Sequence, residues 1–401
     1  LASPDERAEY LDRARRSDEA LRRRLDRLLG LHPDAERFLE AAEPTWPMID
    51  DESSEQPGMV IGNYKLLEQI GHGGMGVVFM AEQSQPVRRK VALKILKRGM
   101  DTDEILGRFE QERQALAIMD HPHITRVFDA GTTPAGRPYF VMELVRGVSI
   151  TKFCEQQRLN GQQRLRLLVQ ACYAVQHAHQ KGIIHRDLKP SNIMVELHDV
   201  TPVPKVIDFG VAKATLQRLI DRTLFTGFVQ MIGTPLYMSP EQAEFNALDV
   251  DTRSDVYSLG VLLYELITGS TPFDRERIRK AGYDEMQRII REEEPPRPST
   301  RISTLNASGK TTVSQTIDSR NPRFAKRLRS ELDWVVMKAL EKDRTRRYQS
   351  ASELAADIQR FLDDEPVLAR APTLTYRLTK LARRNKAALT MFVAVTAALL
   401  L

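Results

Sequence analysis

Apolar residues alternate with polar ones over residues 61–81 until a cluster of glycines interrupts them, and similar stretches follow at 87–96, 124–130 and 138–144. A period of two predicts strands, here an antiparallel meander. Between the second and third of these strands, residues 104–119 carry helical spacing, so one helix is inserted into the sheet-rich part. Beyond Gly147 the period lengthens to about 3.6, with long runs at 162–180, 253–268 and 331–341. A last amphipathic helix runs from Ser350 to Leu362, ahead of Pro366. The pattern predicts an α+β chain in which a small sheet-rich lobe, 60–145, precedes a larger helical one, 146–363. Within the latter, residues 295–322 are rich in Ser, Thr, Pro and Gly with little apolar periodicity, and are expected to be a mobile surface insertion before helix resumes at 323.

Flanking segments read differently. Leu11, Leu21, Leu25, Leu28 and Leu29 share one face of a helix-favouring stretch within residues 1–43, ended by Gly30 and Pro33. Residues 44–59 are linker-like, rich in Pro, Asp, Glu and Ser, with a boundary near Gly58. At the other end, the basic segment 364–386, with Arg377, Lys380, Arg383, Arg384 and Lys386, precedes 387–401, which hold no charge. Fifteen residues at about 1.5 Å each reach about 22 Å, short of a hydrocarbon core of about 30 Å. The expectation is the first part of a transmembrane helix, the basic collar placing the main domain on the cytoplasmic side of a single-pass membrane protein. A short buried helix is the alternative.

Composition narrows the classes. The chain has 401 residues, 42% hydrophobic and 28% charged, enough for a large core, and a formal net charge of +5, too small to suggest nucleic acid as a partner. Its two cysteines, Cys154 and Cys172, offer neither a disulfide framework nor a thiolate zinc site. The N-terminus lacks the apolar core of a secretory signal. His177 and His179, two apart on a helix, face different ways and make no metal site, while His121 and His123 flank Pro122 in a turn and read as structural. His72 sits at a loop tip without an evident partner.

The candidate chemistry lies in four places. Gly71-His72-Gly73-Gly74-Met75-Gly76-Val77-Val78 falls between two strands, not between a strand and a helix, which argues against a dinucleotide-binding turn and for a hairpin whose amides approach phosphates. Lys94 stands in the apolar strand Val91-Ala92-Leu93-Lys94-Ile95-Leu96, where an unpaired ammonium is unfavourable, so it needs an anionic partner. Glu112 is the candidate, since Phe109 and Leu116 turn its helix face inward, whereas Glu110 is displaced around the helix. His185-Arg186-Asp187-Leu188-Lys189-Pro190-Ser191-Asn192 and, after a gap, Asp208-Phe209-Gly210 supply a carboxylate, an ammonium, a carboxamide and a second carboxylate. That set aligns a hydroxyl, a nucleotide phosphate and magnesium, which is phosphoryl-transfer chemistry.

In this order the motifs resemble those of the eukaryotic-type (Hanks-type) serine/threonine protein kinases found in bacteria, over roughly residues 60–362. The resemblance implies the two-lobed protein-kinase fold. It implies that Gly71, Gly73 and Gly76 cover the phosphates of ATP, that Val78 and Ala92 line its site, and that Lys94, oriented by Glu112, holds the α and β phosphates. Asp187 would orient the acceptor hydroxyl and take its proton, Lys189 would neutralise the transferring group, and Asn192 and Asp208 would bind Mg2+. Backbone groups of Glu143 and Val145 would pair with adenine, with Met142 behind them. Lys189, together with residues 233–241 and Thr234, favours Ser and Thr of proteins as acceptors; Ser239 stands where the family more often has alanine. Glu241 is expected to pair with Arg347, Arg346 being the less favoured candidate, and Asp255 to brace the catalytic loop. Arg186 would await a phosphate on Thr223 or Thr226, and a homodimer would serve autophosphorylation. A catalytically silent pseudokinase is the alternative, disfavoured because Lys94, Asp187 and Asp208 are all present. A small-molecule phosphotransferase is disfavoured by the peptide-side segment 233–241.

Overall fold

β4 (Arg89–Leu96) is the strand around which the small lobe is built, with Val91, Leu93 and Ile95 buried. It pairs with β3 (Gly76–Gln83) on one side and β6 (Pro138–Glu143) on the other. β2 (Tyr64–Gly73) and β1 (Val60–Ile61) extend one edge and β5 (Val127–Thr132) the other, giving an antiparallel sheet in the order β1-β2-β3-β4-β6-β5. Alternate residues on one face, among them Leu66, Phe79, Leu93 and Val141, meet in a core of their own. Gly76 is required by close approach: a Cβ there would lie 2.1 Å from the carbonyl oxygen of Ile95.

The computed structural model describes residues 55–73, 76–96, 119–209, 235–244, 250–307 and 331–370; those from Pro57 onward belong to one unit. The N-terminal stretch 1–43, the linker up to residue 54, the inserted helix with Glu112, Thr223, Thr226, Thr234, and residues 371–401 with the expected membrane segment lie outside them. No helix among the described residues is long and apolar enough to cross a membrane.

The large lobe contains, in chain order, α1 (Ile150–Gln156), α2 (Gly161–Gln180), α3 (Pro240–Ala243), α4 (Thr252–Thr268), α5 (Arg275–Lys280), α6 (Tyr283–Glu292), α7 (Pro298–Ala307), α8 (Asp333–Ala339) and α9 (Ala351–Leu362). Local sequence explains the boundaries. Asn160 caps α2 through a reciprocal box, its side chain accepting from Gln163 N at 3.0 Å while Gln163 Oε1 accepts from Asn160 N at 2.9 Å. Asp251 caps α4, which stops at Gly269, φ +77°. α2 packs on α4 and α9, burying Leu168, Val175, Leu259, Leu263, Leu354 and Ile358.

Two features depart from the pattern-based reading. The expected mobile insertion at 295–322 is corrected over its first part, since Pro298–Ala307 is helical. Pro298 suits the first helical position, Ile302 is buried, and Ser299 donates from N and Oγ to the Asp333 carboxylate at 3.0 and 2.5 Å. Buried Pro298 and Ile302 alone give no visible periodicity. The second is a small sheet, β7 (Val148–Ser149), β8 (Ile193–His198) and β9 (Thr201–Val206). Pro202 and Pro204 disguise β9, but it lies at the sheet edge, where a missing N–H is tolerated.

Candidate active site

Strand register sets the upper wall of the site. Val78 pairs with Lys94, and Ala92 with Met142, so these four side chains share one face of the small-lobe sheet. That face roofs a cavity of about 410 Å3, a size suited to a small ligand. Gly71, Gly73 and Gly76 contribute from the β2–β3 hairpin, and Glu143 and Val145 from the segment joining the lobes. The floor carries Asp187, Lys189, Asn192 and Asp208. All the nucleotide and metal candidates, from Gly71 to Asp208, therefore line one cavity.

The charged groups touch each other across it. Lys94 Nζ lies 2.6 Å from Asp208 Oδ1, so within the described residues the anionic neighbour of the strand lysine is Asp208; Glu112 lies outside them. Lys189 Nζ lies 2.9 Å from Asp187 Oδ2. Asn192 Nδ2 donates to the Asp187 carbonyl at 2.8 Å and to Oδ2 at 3.2 Å. This fixes the amide and leaves its oxygen, which accepts a long 3.4 Å contact from Ser191 Oγ, as the atom that could meet a cation. An amide oxygen and a carboxylate on one floor are hard donors of the kind Mg2+ takes beside phosphate oxygens, so the residues present fit that ion. Among the described residues no cluster of three His, Cys, Asp or Glu side chains could hold a metal by itself.

A buried polar scaffold carries this floor. Arg186 and Asp208 both have left-handed backbones, φ +62° and +60°, which residues bearing a Cβ adopt only where their surroundings impose them. The fully buried Asp255 on α4 accepts from His185 N and Arg186 N, each at 2.8 Å, and pairs with His179 Nε2 at 2.7 Å. Burial opposes its ionisation, yet the His179 hydrogen bond and the nearby imidazoles outweigh burial and hold its pKa below the ordinary aspartate value. His185, whose ring lies tilted against Phe209 at 4.8 Å, bonds to the Ile207 carbonyl at 3.0 Å, and burial pushes its pKa down.

Farther below, Arg347 makes a bidentate pair with Glu241 at 2.6 and 2.8 Å, and Ser254 Oγ donates to Glu241 at 2.6 Å. Arg346 is exposed and lies 3.9 Å from Asp343 instead. Burial disfavours the Glu241 anion, but its bonds from Arg347 and Ser254 prevail and depress its pKa.

Reasoning from sequence did not name Ile70, Thr125, Leu144, Ser191, Met194 or Ile207 as cavity residues. Four of these adjoin named ones in the chain; Thr125 and Met194 arrive only through folding. Nor did it find the His179–Asp255 pair. His177, its neighbour but one, stacks on His121 at 5.2 Å.

The protein kinase domain family matches residues 64–357. The chain belongs to this family. Serine/threonine-protein kinase PknB of Mycobacterium tuberculosis is 37% identical to this kinase-family chain over 315 residues, 77% of the chain and 44% of PknB. A probable serine/threonine-protein kinase of Streptomyces coelicolor is 34% identical over 322 residues, 79% of this chain and 42% of that protein. The chain thus spans less than half the length of the curated relatives it matches. The solved PknI kinase domain of M. tuberculosis, 24% identical, superposes with a TM-score of 0.54, covering 77% of this chain and all of that domain, and shares the two-lobed kinase fold.

Proposed function

We propose that this chain is a serine/threonine protein kinase that uses ATP and Mg2+ to phosphorylate hydroxyls of other proteins and of its own activation segment. The observation that carries the reading is the convergence of Lys94, Asp187, Asn192 and Asp208 on one cavity. The chemistry asks little covalent work of a protein: it must position two substrates and balance the charge that develops between them. Lys94, in contact with Asp208, receives the α and β phosphates beneath the glycine hairpin. Asp187, kept in place by Asn192 and Lys189, orients the acceptor hydroxyl and takes its proton, and Lys189 offsets charge on the moving phosphoryl group. Asn192 and Asp208 would hold Mg2+, whose positive charge would offset that of the phosphates.

Lys189, two residues after Asp187, favours Ser and Thr acceptors, and the presence of Lys94, Asp187 and Asp208 together speaks against a silent scaffold. The proposal extends to Glu112 as the partner that orients Lys94, to Thr234 on the substrate side, and to a phosphate on Thr223 or Thr226 meeting Arg186, transferred within a homodimer. It also includes a single membrane span starting in 387–401, with the kinase on the cytoplasmic side; the uncharged run behind a basic collar supports it.

Radiolabelled ATP with a generic protein substrate, run beside Asp187→Asn, tests the core of this reading. Labelling by the wild type and its loss in the variant are expected; equal labelling by both would refute the assignment. Recovery of a longer chain in the soluble fraction would remove the membrane anchor.

A further inference from the structure

The residue that leads into Asp187 is held through both of its backbone polar groups. Arg186 keeps its left-handed backbone while its N–H donates to Asp255 Oδ1 at 2.8 Å and its carbonyl accepts from Gln242 Nε2 at 2.9 Å. Gln242 is the third residue of α3 and is buried. Its Oε1 accepts from Ser239 N at 3.1 Å and Ser239 Oγ at 3.2 Å, and its own N–H donates to Ser239 Oγ at 3.4 Å. With the amide oxygen engaged by two donors, the nitrogen is the atom that faces Arg186.

A capping box needs only an acceptor at this helix position, and glutamate serves as well as glutamine. The donor toward Arg186 is surplus to the box, and only an amide supplies both. Ser239, where the family more often has alanine, is fully buried and fixes that amide.

Resting on the reading of Asp187 as the group that orients the acceptor, we infer that Gln242 is a positioning residue of the phosphoryl-transfer site. Its Nε2 holds the Arg186 carbonyl and thereby the attitude of Asp187, and Ser239 holds Gln242.

Gln242→Glu separates this role from helix capping, because it keeps the box and replaces the donor with an acceptor. Wild type, Gln242→Glu, Gln242→Met and Ser239→Ala are compared at saturating MgATP and about pH 8, above the ordinary carboxylate range. For Gln242→Glu, kcat falls about tenfold or more, beyond what its unfolded fraction at the assay temperature accounts for, while KM for ATP stays within about twofold. Gln242→Met loses kcat and melting temperature together, and Ser239→Ala loses less of both. A Gln242→Glu protein with wild-type kcat, or one whose loss matches its unfolded fraction, overturns the inference. Amide hydrogen exchange over residues 185–188 gives an arm independent of turnover: faster exchange in Gln242→Glu supports the clamp, and unchanged exchange overturns it. An inactive wild type sinks the kinase reading, while the exchange arm still decides whether Gln242 holds the loop.

Discussion

Arg347 and Glu241 are 106 residues apart in sequence and form a bidentate ion pair in which the arginine side chain is fully buried. Arg347 also donates to the carbonyls of Glu341, Lys342 and Arg253, so it ties the segment before α9 to α3 and α4. Removing it leaves Glu241 as an uncompensated buried anion. Arg347→Met is expected to lower unfolding free energy by about 3–5 kcal/mol, read from urea denaturation. A change under about 1 kcal/mol would show the pair to be dispensable.

Acid stability follows from the same groups. Glu241 and Asp255 have depressed pKa values in the fold, against ordinary values of 4.5 and 3.8. Above those values both folded and unfolded chains carry the charge and the stabilisation is complete; as pH falls through them the unfolded chain takes up protons first. The urea midpoint is therefore expected to hold near neutrality and to fall with acidification below about pH 4.5. A midpoint level down to about pH 3 contradicts this assignment.

Two glycines of the β2–β3 hairpin should respond unequally. A Cβ at Gly76 meets backbone at 2.1 Å, whereas one at Gly73 meets nothing within 4 Å. Gly76→Ala is expected to destabilise by about 1–3 kcal/mol by forcing β3 from β4. Gly73→Ala should stay within about 0.5 kcal/mol. Equal urea midpoints for the two variants would mean that the close approach to Ile95 carries no energy.

Magnesium dependence addresses Asn192. If Asn192 holds Mg2+ as proposed, Asn192→Ala is expected to raise the Mg2+ concentration for half-maximal rate on the order of tenfold, equivalent to about 1.4 kcal/mol. Nucleotide binding measured without Mg2+ should change far less. An unshifted Mg2+ requirement would take Asn192 out of the metal site.

Much of the fold was legible along the chain. The apolar run Val91-Ala92-Leu93 and Ile95-Leu96 marks β4, and the helical period over 162–180 and 253–268 marks α2 and α4, because these signals depend on residues within a turn or two of each other. β9 was hidden by its prolines although its partner β8 adjoins it in the chain, and α7 by its few buried side chains, held by Asp333 far along the sequence. The same division runs through the site. Lys94, Asp187, Asn192 and Asp208 were recognisable by type and order, while the 2.6 Å contact of Lys94 with Asp208 spans 114 residues.

Sequence by itself determined which chemical groups this protein carries and which segments become strands and helices, since propensity, capping and apolar period act locally. Tertiary structure alone decided which of them meet: Lys94 with Asp208, His179 with Asp255, Gln242 with the Arg186 carbonyl. Such pairings arise when packing two lobes closes long loops, and no local pattern records the partner that folding brings within hydrogen-bonding reach.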